Sequence, residues 1–393
     1  MSLETNSLES NSLETKITQA WQRQALWLWL LLPVSWLYGL IISIRQQAYK
    51  LGLAKSYRAP IPIMVIGNIT VGGSGKTPLI MALVDYLQQH KVPVGVISRG
   101  YGGDSAQMPA LVTTDSLPSV VGDEPSLIVA MTGVPMAVCP NRQQAITTLI
   151  QAHPDLQLII ADDGLQHYAL QRDIEWIVVD VARGFGNNQL LPTGFLREPM
   201  SRLDQATVIY HKKMDSQLTI NDSQSTKRLT MHLQPDSLQA LWPSLWSSDA
   251  NGLCATLQTA SVTPLAGSQV HGVSGIGYPQ RFFATLEALG FQVSAHPYPD
   301  HYDFKLTDLL QYKHYPIVVT SKDAVKMRAL LATAFDAIEN KQTEFDGVDK
   351  AELHELVARL WVLPVSAELS DACYNELQRQ LQAIGIAINN ATY

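Results

Sequence analysis

The stretch IPIMVIGNITVGGSGKT, from Ile61 to Thr77, decides how this chain folds. Its apolar, β-branched opening reads as a buried strand ending at Gly67, and Gly75-Lys76-Thr77 opens a helical pattern, PLIMALVDYL. Strand, glycine-rich loop and helix start together make a phosphate-binding loop. Glycines let successive N–H groups turn toward phosphate oxygens, and the helix offers its positive end. Thr70, Val71, Gly72, Gly73, Ser74, Gly75, Lys76 and Thr77 are the expected nucleotide-binding segment. Lys76 would reach the β/γ-phosphates and the Thr77 hydroxyl would bind Mg²⁺. Thr70 stands where the general G-x-x-x-x-G-K-[ST] pattern has glycine, while Gly72, Gly73 and Gly75 still supply the permissive backbone.

From this loop outward, residues 61 to about 210 alternate apolar runs with helical stretches: IPIMVI, PVGVIS, PALVTT, VPMAVC, LQLIIA, EWIVVD and ATVIYH. Continuous apolar strands separated by helices indicate a largely parallel sheet covered on both faces. Residues 213–265 lose the rhythm and read as a linker with short strands. A second α/β rhythm follows, with strands at Val270–Ser274, near Phe291, at Pro316–Thr320 and in LWVLPV, and a terminal helix from about Leu369. The expected fold is α/β: a P-loop NTPase-like domain over 59–212, the linker, and a smaller C-terminal α/β domain over 266–393.

Upstream, residues 1–24 are a disordered tail and lead-in, with the repeat SLET-N-SLES-N-SLET in residues 2–15. Ala25 to Ile44 is an uncharged apolar run of twenty residues, enough to span about 30 Å as a helix. Trp21, Trp27, Trp29 and Trp36 cluster there, as at membrane interfaces, and Arg45, Lys50, Lys55 and Arg58 form a basic flank ending at residue 58. Pro33 is expected to kink this membrane helix. Ser35, Gly39 and Ser43 share one face, suited to close packing on another helix or on acyl chains. A net charge of −7 gives no footprint for nucleic acid. Cys139, Cys254 and Cys373 are far apart and read as reduced thiols in a cytosolic setting.

Leu158 to Asp163 is an apolar strand ending in two carboxylates, the arrangement that sets Mg²⁺ ligands beside a phosphate-binding loop. Gln166 and His167 follow at the same strand end. Ser98 to Gly103 brings Arg99 and Tyr101, able to contact phosphate or sugar. Asp123 and Glu124 precede a helical stretch, where Asp123 by spacing alone reads as an N-cap. Arg197 and Glu198 pair a phosphate-binding cation with a further possible metal ligand. Asp300-His301 lies in the second domain.

Taken in order, TVGGSGKT (70–77), SRGYGG (98–103), GDEP (122–125), DDGLQH (162–167), RGFGN with LREP (183–199), SGIGYP (274–279), DHY (300–302) and SKDAVK (321–326) resemble the tetraacyldisaccharide 4′-kinase family. The resemblance implies a membrane-associated kinase that phosphorylates a lipid A precursor, with ATP and Mg²⁺ in the cleft between its two domains. It makes Asp123 the general base assisted by His301, and Arg197 the cation on the transferred phosphoryl group. Asp162, Asp163 and Glu198 fall around the metal, Gln166 and His167 at the nucleotide, and Arg99, Tyr101 and Glu124 at the substrate. It implies an acylated disaccharide substrate, the cytoplasmic face of the bacterial inner membrane as location, and no obligate protein partner. Ser321 stands where the family usually has glutamate and receives no role. The rival is a membrane-tethered nucleotide switch; its guanine-binding motif would be Asn-Lys-x-Asp, and the nearest candidate, Lys212-Lys213-Met214-Asp215, lacks the asparagine.

Overall fold

The computed structural model describes residues 23–212, 229–242, 263–339 and 350–388, together with Ile17, Ala20 and Trp21. The tail 1–16, most of the 213–265 linker, Cys254 and Lys213 to Asp215 lie outside the described residues.

The quoted stretch forms β1 (Ile63–Gly67), every residue of it buried. Around it lie β2 (Val94–Ser98), β3 (Ala110–Val112), β4 (Met136–Val138), β5 (Leu158–Asp162), β6 (Ile174–Asp180), β7 (Thr207–Lys212) and β8 (Leu229–Pro235). A second set follows: β9 (Gln239–Ala240), β10 (Gln269–Ser274), β11 (Gln292–Pro297), β12 (Ile317–Thr320), β13 (Leu360–Leu363) and β14 (Val365–Leu369). The first sheet runs β14-β8-β7-β6-β1-β5-β2-β4-β3 and the second β11-β10-β12-β13-β9. Pairing is parallel except for β3 on β4, β14 on β8 and β9 on β13. β1 lies between β5 and β6, so the loop after it and the carboxylates ending β5 emerge side by side. In such sheets ligands bind at the carboxyl ends of the strands.

The longer helices are α1 (Leu32–Lys50), α2 (Lys76–Gln89), α3 (Asp123–Thr132), α4 (Arg142–Ala152), α5 (Pro279–Ala288), α6 (Ser321–Glu339), α7 (Lys350–Arg359) and α8 (Asp371–Ala383). α2 buries Leu79, Ile80, Leu83, Val84 and Leu87 on the first sheet, the spacing of a helix with one apolar face.

Two features differ from sequence rhythm. The chain from Val365 on returns to the first sheet: β14 pairs with β8, and α8 puts Cys373, Leu377 and Leu381 into the core that holds Trp176. Residues 266–393 are thus divided between two sheets, because one edge of the first sheet is completed from the far end of the chain. Pro33 does not kink α1. It sits in the first turn, where a missing N–H costs nothing, after a tight helical turn over Leu26–Leu31. At Ser35 and Gly39 the small face of α1 packs on the 190–193 loop of the first domain, while Ser43 is exposed. Ser35 Oγ lies 3.0 Å from Leu190 O and 2.8 Å from Thr193 Oγ1, and a Cβ on Gly39 would fall 2.9 Å from Leu190 Cδ1.

Leu377→Ala should cost about 2–5 kcal/mol, because its side chain is fully buried in the first core. Urea denaturation followed by intrinsic fluorescence checks this. A loss within error of zero would mean that α8 does not pack on the first sheet.

Candidate active site

The loop after β1 is held by its neighbours before any ligand arrives. Gly75, with φ 94°, caps α2 in a left-handed conformation that side chains resist. Val71 N–H donates to Phe195 O at 2.9 Å, Thr70 bridges to Leu196, and Arg183 donates to Val71 O. Asn68 Nδ2 donates to Gly72 O at 3.2 Å, and its Oδ1 accepts from Lys76 Nζ at 3.1 Å. The loop motif does not mark Asn68, although it stands between strand and loop. Ser74 Oγ is buried with no partner among the described residues.

Opposite the loop, Asp163 has a left-handed backbone, φ 45°. Its Oδ1 lies 3.3 Å from Lys76 Nζ, and Arg197 Nη1 reaches its two oxygens at 3.3 and 3.1 Å. Burial alone would raise the pKa of Asp163, but the Lys76 and Arg197 charges override it and hold the carboxyl at about 2. Two cations from separate elements thus converge on one carboxylate.

Asp162 is fully buried. Ser98 Oγ donates to its Oδ2 at 3.2 Å, while its Oδ1 has no partner among the described residues. Burial first, then the charges of Glu124 and Asp163, push its pKa up to about 7. A buried carboxylate with an open lone pair and a raised pKa is suited to a cation. No cluster of three or more His, Cys, Asp or Glu side chains forms a metal cage among the described residues. Mg²⁺ bound with nucleotide needs none, since it takes one or two carboxylates plus phosphate oxygens and waters. Thr77 and Asp162 fit that donor set. Glu198 is differently engaged: its Oε1 accepts from Gln166 at 2.8 Å, and its Oε2 from Gln46 and Arg202, both at 3.1 Å. Gln166 also donates to Asn68 O at 3.1 Å, so it braces the strand before the loop. His167 is half-buried, its pKa pushed down to about 4 by burial and then by the charges of Arg142, Arg172, Arg45 and Arg99.

Helix α1 reaches this region directly. Tyr38 OH donates to Arg197 O at 3.2 Å, and Gln46 holds Glu198. Nothing in the apolar pattern of α1 announces these contacts.

The second domain closes the other side. His301 Nδ1 lies 3.3 Å from Asp123 Oδ2, across 178 residues of chain. Gly122, at φ 97°, allows α3 to begin here. A Cβ there would fall 2.6 Å from Tyr101 O. Asp123 opens α3, but its side chain caps nothing. Burial works to raise its pKa; the hydrogen bond from His301 and the charges of Lys326 and Lys322 outweigh this and hold Asp123 below the ordinary carboxylate range. Tyr101 is largely exposed, with its ring edge-on to His301 at 5.0 Å. Glu124 pairs with Lys322 at 3.4 Å, and Lys326 lies 3.5 Å from Asp123 Oδ2. The motif SKDAVK by itself assigns Lys322 and Lys326 no role, although their i,i+4 spacing puts them on one helix face. Arg99 is exposed at the end of β2, and its charge is felt at His167 and Arg142.

Phosphate loop, buried acidic strand end and a carboxylate–imidazole pair brought from two domains define a P-loop phosphotransferase. A family model for tetraacyldisaccharide-1-P 4′-kinase matches residues 27–382. The tetraacyldisaccharide 4′-kinase of Psychrobacter arcticus is 67% identical over 96% of this chain and 97% of its own. That of Methylobacillus flagellatus is 39% identical over 93% of this chain and 95% of its own. A crystal structure of Aquifex aeolicus LpxK, described as an "apo" form in complex with ATP, superposes with a TM-score of 0.65 at 24% identity. It covers 91% of this chain and 99% of that one, and carries the fold. The chain belongs to the tetraacyldisaccharide-1-P 4′-kinase family.

Folding linkage at Asp123 tests the domain contact. A carboxylate with a depressed folded pKa contributes stability that is full above its ordinary value, 3.8, and is lost as pH falls through the folded value. His301→Ala removes that hydrogen bond and leaves Lys326 and Lys322 alone to oppose burial, so the folded pKa rises, the acid limb of a stability-versus-pH curve ends at higher pH and the stability lost along it shrinks. An unmoved limb would mean that the contact is not made in solution.

Proposed function

We propose that this chain transfers the γ-phosphoryl group of ATP to the 4′-hydroxyl of a tetraacyldisaccharide 1-phosphate, with Asp123 as the general base. As a member of its family the chain is a kinase of lipid A biosynthesis. The observations that carry the assignment of roles are the pairing of Asp123 with His301 and the gathering of Lys76 and Arg197 on Asp163.

Asp123 is ionised at neutral pH and accepts the proton of the attacking hydroxyl, while His301 holds its orientation. Lys76 and Arg197 face the charge on the transferred group, where fixed cations act without reorganising at the moment of reaction. Thr77 and Asp162 would hold Mg²⁺, which supplies neutralisation of the phosphate oxygens when bound with the nucleotide. Glu198 and Gln166 keep the Arg197 loop and the β1 end in register. Arg99, Tyr101 and Glu124 border the sugar. Tyr101, 72% exposed and with its ring edge-on to His301, is open to a substrate approaching that histidine.

The chain works at a membrane surface on the cytoplasmic side. Leu26–Lys50 is long and apolar enough to cross a bilayer, and 11% of its most apolar window is buried in the protein. Leu30, Trp36 and Leu40 project outward. Contacts at Ser35, Tyr38 and Gln46 tie the opposite face to the domain from residue 35 to residue 46, about 17 Å of helix. A helix tied along its length to a polar domain lies in one face of the bilayer rather than through it. That placement brings a four-chain lipid to the site without leaving the bilayer, a transfer that would cost about 0.8 kcal/mol per CH₂.

The test is transfer of label from ATP to a detergent-dispersed tetraacyldisaccharide 1-phosphate. Label should reach the lipid with wild-type protein and fall by about 10²-fold or more in Asp123→Ala and in Lys76→Ala. ATP hydrolysis without labelled lipid would instead favour a nucleotide switch. For the membrane, Leu30→Glu combined with Trp36→Glu should weaken binding to phospholipid vesicles by more than about tenfold, given roughly 1.5–3 kcal/mol per buried apolar side chain. Unchanged sedimentation with vesicles would remove this face as the anchor.

A further inference from the structure

We infer that Lys322, on α6 of the second domain, fixes the tautomer of His301 and so makes the imidazole a donor to Asp123; this rests on the kinase reading above. Lys322 Nζ lies 3.2 Å from His301 Nε2, 3.4 Å from Glu124 Oε1 and 3.6 Å from Asp300 Oδ1. An ammonium has three protons to give and no lone pair. Nε2 is therefore the acceptor, and the ring proton of the neutral imidazole sits on Nδ1. That nitrogen faces Asp123 Oδ2 at 3.3 Å, so the bond runs from Nδ1–H to the carboxylate. In the opposite tautomer a bare ring lone pair would meet the carboxylate lone pairs, and the contact would turn repulsive.

The surroundings show a built arrangement rather than a surface ion pair. The Lys322 side chain is 16% exposed and is anchored by carboxylates from two separate elements, Glu124 on α3 and Asp300 after β11. The start of α6 is itself pinned: fully buried Asp323 accepts from Gly275 N–H at 3.1 Å and from Thr320 Oγ1 at 2.7 Å. His301 has a left-handed backbone, φ 59°, uncommon for a residue with a side chain, and its N–H donates to Gly275 O at 3.2 Å. The same buried Asp323 thus stands behind both the lysine and the turn carrying the histidine. Lys326, one turn along α6, lies 3.5 Å from Asp123 Oδ2, the same oxygen that faces His301 Nδ1. Lys322 touches His301 and not the reacting atoms, so it is a positioning residue.

The experiment uses full-length protein in detergent with ¹⁵N-labelled histidine. Wild-type His301 should show the Nδ1–H tautomer by ring ¹⁵N shifts. Lys322→Met should move it toward Nε2–H, and Lys322→Arg, which keeps the donors, should restore it. In the labelled-lipid assay Lys322→Met should lower kcat by about tenfold or more with KM for ATP changed by less than about twofold. In the His301→Ala background the same substitution should have no further effect, because it acts through the ring. A wild-type Nε2–H tautomer overturns the inference, and so does a loss in kcat that persists undiminished in the His301→Ala background. Thermal unfolding and ATP binding of each variant separate a folding defect from this effect, with Lys322→Ala as the second variant should the methionine not fold. The tautomer is read without turnover, so a protein with the expected tautomer that labels no lipid would sink the kinase reading and not this one.

Discussion

One partly exposed carboxylate, Asp163, holds together two cations from separate parts of the first domain. Lys76 comes from the start of α2, Arg197 from the loop before β7, and both meet Asp163 at the end of β5. Like-charged groups brought this close would repel without a counter-ion. The charges of Lys76 and Arg197 lower the pKa of Asp163, so its ionised form is favoured despite burial. The sheet order makes the arrangement possible. β1 lies directly between β5 and β6, so the loop, the acidic strand end and the segment after β6 converge without any long excursion.

The second domain contributes through polar contacts rather than a shared apolar core. The interior around Leu309, Met327 and Leu331 is separate from the one around Ile66 and Trp176. What joins the domains near the chemistry is charge: Lys322 and Lys326 from α6 against Asp123 and Glu124, and Arg281 from α5 on Asp180 at 2.7 Å. Contacts of this kind make and break at modest cost compared with opening an apolar core, which suits a cleft that must admit a nucleotide and then exclude water. α1 adds a third party, because Tyr38 and Gln46 touch Arg197 and Glu198 while the outer face of the same helix is apolar. The apolar helix and the loop carrying Arg197 and Glu198 therefore share hydrogen bonds.

Much of this was legible in the residues alone. The seven apolar runs of the first domain each form a strand, since continuous burial leaves β-branched runs few alternatives. The loop from Thr70 to Thr77 and the Asp162-Asp163 strand end follow from local chain geometry, which is why short motifs report them. Asp123 shows the limit. Its local spacing favours an N-cap, yet the side chain turns to His301 instead, and only the resemblance to a kinase family pointed there. Glu198 shows another: its sequence neighbours give no sign of the three donors that reach it from α1, the Gln166 turn and Arg202.

By itself, then, the sequence determined the strands, the phosphate loop, the apolar helix and the carboxylates at the strand ends, because each rests on periodicity or on backbone freedom within a few residues. Tertiary structure alone decided that β14 and α8 complete the first sheet, that α1 docks along the 190–193 loop, and that Lys322 and Lys326 face Asp123. Those outcomes depend on which edges and faces remain unfilled once the sheets have formed, a property of the assembled surfaces that no local stretch of residues encodes.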